Sequence, residues 1–306
     1  MLILRKRALI KSRGPNPSAR PQTVLITGAS SGIGKVTALH LARQGHKVIG
    51  TSRMFERLAD LLREARRDNL NITCVELNIN DPSACERELS AILAEHGPVD
   101  VLVNNAGYGL WGPLQTVSDA ELKTLFETNF FAAFRMTQAV LPGMIERRHG
   151  RIINVSSVLG RMGTPYNGAY AASKFALEGM SEALRAEVAP YGVRVSLVEP
   201  GLYRTNFQSN QVIAEGARTH EGVYADQIRT YNRNHDRYQR FASDPVAVAK
   251  VIREIVESAS PAFRYEVGLE ARAGIAGRRF LPERLFNALM DRATVGKASR
   301  ADSERP

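Results

Sequence analysis

The sequence has few of the residues that would mark a disulfide-rich, metal-binding or membrane-spanning protein. It contains two cysteines, Cys74 and Cys85, whose spacing fits neither a disulfide framework nor a paired zinc motif. Its six histidines are scattered without ligand spacing, so we expect no metal site. The apolar residues near the N-terminus are too few and too interrupted for a signal peptide or a membrane span of about 20 residues. We therefore expect a globular protein of a reducing compartment, the cytoplasm.

The chain also lacks a recognisable nucleic-acid-reading helix, although its formal net charge is +10. The positive excess lies largely at the two ends, and the first 20 residues contain no acidic side chain. The basic residues of this segment are Arg5, Lys6, Arg7, Lys11, Arg13 and Arg20. We expect residues 1–21 to form a flexible basic tail, with weak contact to an acidic lipid surface as the alternative, and no nucleic-acid partner.

Short runs rich in Val, Ile and Leu alternate with longer amphipathic stretches between Thr23 and about Val267. This alternation predicts a single α/β domain, a doubly wound parallel sheet of the Rossmann type in three layers. We expect strands at residues 23–27, 47–52, 72–77, 99–103, 151–155, 193–198 and 265–268. The catalytic domain would span residues 22–270, with an irregular polar substrate loop at about 202–245 and a helical extension and tail at 271–306.

A glycine-rich turn, Thr27-Gly28-Ala29-Ser30-Ser31-Gly32-Ile33-Gly34, joins the first strand to the first helix. Glycine allows a tight turn and the close approach of a pyrophosphate, which the free N–H groups of the helix start attract. The context after a strand and before a helix therefore predicts a dinucleotide site, the alternative being a turn that only joins two elements. We expect the cofactor to contact Gly28, Ser30, Ser31, Gly32, Ile33 and Gly34.

The second strand ends Gly50-Thr51-Ser52-Arg53, without the carboxylate that would bind a ribose 2′-hydroxyl. A small hydroxyl and a guanidinium stand there instead. Arg53 can hold a 2′-phosphate through charge-assisted hydrogen bonds, which favours NADP(H) over NAD(H). The alternative is that Arg53 is an ordinary surface cation.

Tyr170 and Lys174 lie four residues apart in a predicted helix and so share one face. A nearby ammonium can favour ionisation of a phenol that otherwise titrates near pH 10, so the pair suits acid/base chemistry. Ser157 closes a predicted strand, where its hydroxyl can donate to a substrate oxygen. Asn129, in a predicted helix at residues 122–141, could link to Lys174 or make only a local polar contact.

Five motifs follow one another along the chain: the glycine-rich turn, Asn104-Asn105-Ala106-Gly107, Ser157, Tyr170-x-x-x-Lys174 and Pro200-Gly201. In this order they resemble the classical short-chain dehydrogenases/reductases over about residues 22–268. Ser157 precedes Tyr170 by the family's interval of thirteen residues, which selects it over Ser156. The resemblance implies that Tyr170 is the acid/base, that Ser157 polarises the substrate oxygen, and that Lys174 lowers the pKa of Tyr170 and binds the nicotinamide ribose. Asn129 would complete a proton relay.

Further cofactor contacts follow from the resemblance alone. They are Asn78 and Ile79 beside the adenine, Asn105, Ala106 and Gly107 under the adenosine ribose, and Pro200, Gly201 and Thr205 near the nicotinamide carboxamide. The family often has Asp at position 78, and Asn keeps a side-chain carbonyl that can accept from the adenine amino group. The resemblance also implies a homodimer or homotetramer through the long helices that carry Asn129 and Tyr170.

The C-terminal region sets Leu281, Leu285 and Leu289 at helical spacing beside several arginines. This helix either packs on its own core or borders a lipophilic pocket or a membrane surface. The region resembles that of hydroxysteroid and retinol dehydrogenase-like members, which implies a bulky apolar carbonyl or secondary alcohol as substrate. Tyr108, Trp111 and Tyr166 either line this pocket or belong to the core.

The sequence therefore predicts an NADP(H)-dependent oxidoreductase that interconverts a carbonyl and a secondary alcohol. The alternative is an NADP(H)-binding sensor or scaffold without turnover, since a fold does not imply activity. The complete set of Ser157, Tyr170 and Lys174 favours the enzyme.

Overall fold

The computed structural model describes residues 20–205, 207, 210–218, 223–239 and 242–294, with the backbone alone for 235–239. Nine strands are present in these ranges: β1 (Thr23–Ile26), β2 (Lys47–Ser52), β3 (Ile72–Glu76), β4 (Val101–Asn104), β5 (Leu110–Trp111), β6 (Gly150–Val155), β7 (Val193–Pro200), β8 (Val212–Ile213) and β9 (Arg264–Val267). The tail expected at residues 1–21 and the last residues of the extension expected at 271–306 lie largely outside the described residues.

Ten α-helices lie in the same ranges. They are α1 (Gly32–Arg43), α2 (Ala59–Arg67), α3 (Pro82–His96), α4 (Asp119–Phe126), α5 (Ala132–Glu146), α6 (Gly168–Val188), α7 (Ala225–Gln239), α8 (Val246–Glu257), α9 (Leu269–Phe280) and α10 (Glu283–Thr294). Capping residues explain where two of these helices begin. Asp81 caps α3 by accepting from the backbone N–H groups of Ser83 and Ala84, and Ser118 and Glu121 form a reciprocal capping box on α4.

Seven strands form one parallel sheet in the order β3-β2-β1-β4-β6-β7-β9. The chain runs outward from β1 in both directions, so the strand order reverses between β1 and β4, where such sheets bind ligands at their carboxyl ends. This confirms the predicted doubly wound fold. All seven expected strands are present, and their ends differ from the expected ones by at most two residues.

Two apolar cores cover the sheet, because successive strand residues point to opposite faces. One core joins β1, β2 and β4 to α1, α2 and α8 through residues such as Val24, Leu41 and Ile252. The other joins the same sheet to α3, α5 and α6 through residues such as Leu25 and Met136. The three layers are therefore helix, sheet and helix, as the sequence predicts.

A two-stranded parallel sheet, β5 with β8, was not predicted from the sequence. It pairs Leu110 with Val212 and Trp111 with Ile213. Strands of two residues carry no periodic signal, so sequence patterns cannot show them. The pairing ties part of the expected substrate loop to the turn that follows β4.

Buried asparagines connect the centre of the sheet to the helices. Asn104 donates to Asn154 Oδ1 at 2.9 Å, and Asn154 donates to Ser181 Oγ on α6 at 2.8 Å. Asn104 also donates to Thr137 Oγ1 on α5 at 3.2 Å. These bonds satisfy the side-chain N–H groups of both asparagines and the Asn154 carbonyl, and they fix β4 and β6 against both helices.

Asn154→Ala should lower the free energy of unfolding by about 2 kcal/mol, because it removes two buried hydrogen bonds, one from Asn104 and one to Ser181. Urea unfolding followed by circular dichroism measures the change. The exposed Asn287→Ala on α10 is the control and should change stability by less than about 0.5 kcal/mol. Equal effects of the two substitutions would contradict the role given to the asparagines.

Candidate active site

A cleft of about 930 Å³ opens at the carboxyl ends of the strands, across the point where the strand order reverses. Nearly every site residue expected from the sequence lines it. These are Gly28, Ser30, Ser31, Gly32, Ile33, Arg53, Asn78, Ile79, Asn105, Ala106, Gly107, Ser157, Tyr170, Lys174, Pro200, Gly201 and Thr205. Gly34 and Asn129 lie behind the lining, where they support it.

The glycine-rich turn forms one end of the cleft. Gly28 and Gly32 have φ values of 68° and 54°, in the left-handed region that favours glycine. A Cβ on Gly34 would lie 2.3 Å from the Gly28 carbonyl oxygen and 2.5 Å from Asn105 Nδ2, so no larger residue fits there. The tight turn places the start of α1 at the cleft.

Asn105 and Thr27 hold this turn in shape. Asn105 Nδ2 donates to the carbonyl oxygens of Thr27 at 2.9 Å and Gly28 at 3.1 Å. Thr27 Oγ1 accepts from the backbone N–H groups of Asn105 at 3.0 Å and Ala106 at 3.1 Å. The Asn105 side chain is therefore committed to the turn, and its contribution to a cofactor site is to shape it.

The start of α1 is suited to an anion. Among the described residues, Ser31 makes no side-chain capping bond there and the first turn contains no acidic side chain. The N–H groups of that turn and the helix dipole are thus available to a phosphate.

Two guanidinium groups line the cleft beyond the end of β2. Arg53 stands where the sequence predicts it, and Arg57, in the short 3₁₀ helix Phe55–Leu58, lies on the same part of the lining. Ser52 is the small buried residue before them. Sequence reasoning missed Arg57, which reaches the cleft because the 3₁₀ helix follows the end of β2 so closely, and no spacing in the sequence shows this.

Ser157, Tyr170 and Lys174 meet in the middle of the cleft. Ser157 follows β6 and Tyr170 lies in the first turn of α6, and the Ser157 side chain is within hydrogen-bonding reach of the Tyr170 hydroxyl, whose pKa it lowers. Lys174 Nζ donates to the Val155 carbonyl oxygen at 2.9 Å and lies 5.8 Å from the centroid of the Tyr170 ring. Tyr170 and Lys174 are 7% and 4% exposed, so water scarcely reaches either group.

Burial dominates the acid/base properties of this pair. It raises the pKa of Tyr170 to about 12, while the hydrogen bond with Ser157 acts in the opposite direction. Burial lowers the pKa of Lys174 to about 8, against the carboxylate of Glu178, which raises it. The sequence predicts that Lys174 lowers the pKa of Tyr170. That effect of Lys174 stays a prediction; its ammonium lies over the Tyr170 ring and donates to the Val155 carbonyl oxygen.

Asn129 lies in a π-helical segment, Glu127–Phe131, between α4 and α5. Its side chain accepts from the Tyr108 N–H at 3.1 Å and donates to the Tyr108 carbonyl at 3.0 Å and to Ser173 Oγ at 3.0 Å. It therefore binds the turn after β4 to α6, immediately beside Lys174. The expected relay through Asn129 stays a prediction, and the side chain's observed contacts are structural.

Residues expected beside the adenine and the carboxamide also stand at the cleft. Asn78 Oδ1 accepts from the Asn80 N–H at 3.2 Å, which closes the turn after β3. Thr205 packs over Gly32, where a Cβ would lie 3.3 Å from the threonine Cβ. Gly201 adjoins Glu270, whose Oε1 accepts from the Leu202 N–H at 2.9 Å. These contacts fix both edges of the cleft.

The far end of the cleft is formed by segments distant in sequence. Its apolar lining includes Val158, Leu159, Met162, Phe207 and Met290, and its polar lining includes Asn167, Tyr231, Asn234 and Thr294. Helix α10 thus borders the cleft through Met290, Ala293 and Thr294 while Phe286 packs inward on Met162. The sequence left open whether this helix packs on its own core or borders a pocket. Phe286 packs on the core, and Met290, Ala293 and Thr294 border the cleft.

The three aromatic residues expected near the substrate lie in two different places. Tyr108 lines the cleft. Trp111 and Tyr166 instead pack with Tyr231 in a buried cluster whose ring centroids lie 5.2–5.6 Å apart. Sequence reasoning did not anticipate Phe207, which contacts the Tyr170 ring edge-on at 5.6 Å between centroids.

Comparison with known proteins gives consistent matches. A family model described as short chain dehydrogenase matches residues 22–216. A 3-ketodihydrosphingosine reductase of Bacteroides thetaiotaomicron is 41% identical over 81% of this chain and 88% of its own, and retinol dehydrogenase 8 of Bos taurus is 38% identical over 80% of each. A solved metagenomic short-chain oxidoreductase in complex with NADP superimposes with a TM-score of 0.64 at 30% identity, over 80% of this chain and 95% of that one.

No helix in the described ranges is both long enough and apolar enough to cross a membrane.

Proposed function

The chain belongs to the short-chain dehydrogenase family, and we propose that it is an NADP(H)-dependent oxidoreductase that interconverts a carbonyl and a secondary alcohol. One observation carries the proposal: the Tyr170 hydroxyl lies with Ser157 and Lys174 in the same cleft as the glycine-rich turn. An acid/base group and a dinucleotide cradle that share a cleft suit hydride transfer coupled to proton transfer.

The residues present fit a two-phosphate cofactor. Gly34 lets the turn pack closely on the start of α1, because a Cβ there would meet Gly28 and Asn105, and the first turn of α1 offers free N–H groups. Arg53 and Arg57 add two positive charges where a 2′-phosphate would lie, which supports NADP(H), as does the NADP complex of the metagenomic relative. The chemistry that NADP(H) supplies when bound is transfer of a hydride to or from the substrate carbon.

The chain's own residues bind and protonate the substrate's carbonyl oxygen. A carbonyl oxygen placed between Ser157 and Tyr170 accepts a hydrogen bond from each hydroxyl, which stabilises negative charge as it develops. Tyr170 then gives its proton to that oxygen, and the ammonium of Lys174 offsets the charge left on the phenol. Because the pKa of Tyr170 is about 12, the phenol is protonated at neutral pH and is available as the acid when the carbonyl is reduced.

We propose a bulky, largely apolar substrate. Leu159, Met162 and Met290 offer apolar surface at the far end of the cleft, and a few polar groups there can orient one end of a long molecule. The printed names of the two relatives, a 3-ketodihydrosphingosine reductase and a retinol dehydrogenase, support a lipid-like carbonyl or alcohol.

Two exposed apolar surfaces support further proposals about partners. Phe131, Phe134 and Phe175 are each at least 39% exposed beside the helices that carry Asn129 and Tyr170, and we propose that they meet a second copy in a homodimer or homotetramer. On α10, exposed Leu285 and Leu289 beside exposed arginines support weak contact with an acidic lipid surface.

The alternative, a cofactor-binding sensor or scaffold, requires no proton donor. The ammonium of Lys174 is disfavoured by burial and yet stands beside Tyr170 in the cleft, which favours the enzyme.

Tyr170→Phe should lower kcat by about a thousandfold, because it removes the proton donor and leaves the ring in place. Its affinity for NADPH, measured by fluorescence titration, should stay within about threefold of the parent. Tyr191→Phe, at an exposed tyrosine after α6, is the control and should keep full turnover. A parent that binds NADPH but reduces nothing in a broad carbonyl panel would support the sensor instead.

Arg53→Ala should raise the KM for NADPH at least about tenfold, since a charge-assisted hydrogen bond contributes about 1.5–3 kcal/mol, and should leave the KM for NADH nearly unchanged. Arg57→Ala should act in the same direction. The matched control is Arg63→Ala, an exposed arginine paired with Asp60 on α2. A parent enzyme that uses NADPH and NADH equally well would refute the preference.

Met290→Glu should raise the KM for a long-chain ketone at least about tenfold, because it sets an unpaired charge against apolar substrate. The KM for NADPH should not change. Leu289→Glu, at the exposed neighbouring residue, is the control. The assay follows NADPH oxidation with long-chain ketones, retinal, steroid ketones and small sugars, and activity confined to the small sugars would exclude a lipophilic cleft.

A further inference from the structure

Two buried carboxylates and two partly exposed guanidinium groups lie next to the catalytic residues. We call this group the carboxylate cluster; it comprises Glu178, Glu199, Arg264 and Arg161. Glu178 is one helical turn after Lys174 on α6, and Glu199 immediately precedes Pro200 at the end of β7. The two glutamates are 5% and 0% exposed. Carboxylates are almost never buried so completely unless they are paired, so their positions call for an explanation.

Arg264 at the start of β9 joins the two carboxylates. Its guanidinium hydrogen-bonds Glu178 and also Glu199 Oε1, the latter at 2.6 Å. Arg161, in the turn after Ser157, donates to the same Glu199 oxygen at 3.2 Å. One ion cluster therefore connects the active-site helix, the turn that follows Ser157, and the strand end that leads into Pro200 and Gly201.

Glu178 also lies against the backbone turn Val158–Gly160, which positions Ser157. A Cβ on Gly160 would lie 3.2 Å from Glu178 Oε1 and 2.6 Å from Ser156 Oγ, so the turn Val158–Gly160 closes directly on the carboxylate. Within the described residues, Glu178 Oε1 and Glu199 Oε2 have no hydrogen bond of ordinary geometry, although the Ser156 hydroxyl is near enough to lower the pKa of Glu178. Two partly unpaired buried carboxylates are an expensive arrangement for packing alone.

We propose that Glu178, joined to Glu199 by Arg264, is a positioning residue for the reaction: it fixes the Ser157 turn and the Pro200 strand end against α6, and its negative charge keeps Lys174 positive. The inference rests on the proposed function, because it concerns the same reaction. Glu178 acts through Lys174 and the turn, and it does not touch the substrate.

The pH dependence follows from the charges around Glu178. They are Lys174 and Glu182 on its own helix, Glu199 from β7, Arg264 from β9, and, through Glu199, Arg161 from the turn after β6. Burial and the Glu199 carboxylate raise the pKa of Glu178 to about 7, and the pKa of Lys174 is about 8. Above pH 7 an ionised Glu178 supports the ammonium. Below it, Glu178 is protonated and gives no support, but Lys174 is fully charged without it.

The test is the pH profile of kcat for the Glu178→Gln variant, whose amide imitates the protonated acid at every pH. We expect kcat within about threefold of the parent at about pH 6, and a loss of about tenfold at about pH 8.5, because the pKa of Lys174 falls when the carboxylate that raises it is removed. NADPH affinity at the lower pH should equal that of the parent, which shows that the cofactor site is intact. A purely structural role would lower kcat by the same factor at every pH and overturn the proposal.

Glu182→Gln is the matched control, since Glu182 contacts the same Arg264 at 3.3 Å but has a side chain that is 67% exposed. Its profile should match the parent's. If Glu178→Gln does not fold, Glu178→Asp moves the carboxylate back by one methylene. Its kcat should then begin to fall at a lower pH than in the parent, though the shift should be smaller than for Glu178→Gln. A kcat profile that is unshifted on the alkaline side would overturn the proposal. A parent without carbonyl turnover would overturn the proposed function instead, so the two failures are distinguishable.

Discussion

The ammonium of Lys174 is buried almost completely, and the geometry of the site follows from how that charge is accommodated. Its partners are the Val155 carbonyl at the end of β6, the face of the Tyr170 ring, and the field of the Glu178 carboxylate. A buried charge needs such partners, because water cannot stabilise it there. The strand end, the first two turns of α6 and the carboxylates behind them are therefore fixed around one positive group.

Burial of Tyr170 and Lys174 shifts their pKa values in opposite directions, upward to about 12 and downward to about 8. Both shifts favour the neutral forms, which is what desolvation does to any ionisable group. Tyr170 therefore keeps its proton at neutral pH. The charge of Lys174, in contrast, depends near neutral pH on neighbouring groups such as Glu178. Such perturbed groups are common at sites where proton transfer must be controlled.

Local patterns were enough to predict the seven strands and the glycine-rich turn around Gly34. The choice of Ser157 by its interval to Tyr170, and the other positions along the cleft, followed from the family resemblance, and the structure places these residues along the same cleft. The carboxylate cluster was not predictable in the same way, since Arg264 and Glu178 are 86 positions apart. Asn129 shows the intermediate case. Its position was expected, but its partner, the backbone of Tyr108, depends on a π-helical segment that no periodicity reveals.

The far wall of the cleft depends on Met290, Ala293 and Thr294 of α10, near the end of the described chain, whereas the glycine-rich turn and the Ser157–Tyr170–Lys174 group are complete more than a hundred residues earlier. On the ribosome, which extends the chain from its N-terminus, the sheet and its nucleotide cradle can form while α10 is still unmade. The two halves of the cleft also differ in how they can evolve. Replacement of α10 would reshape the substrate wall without touching the residues that move the proton.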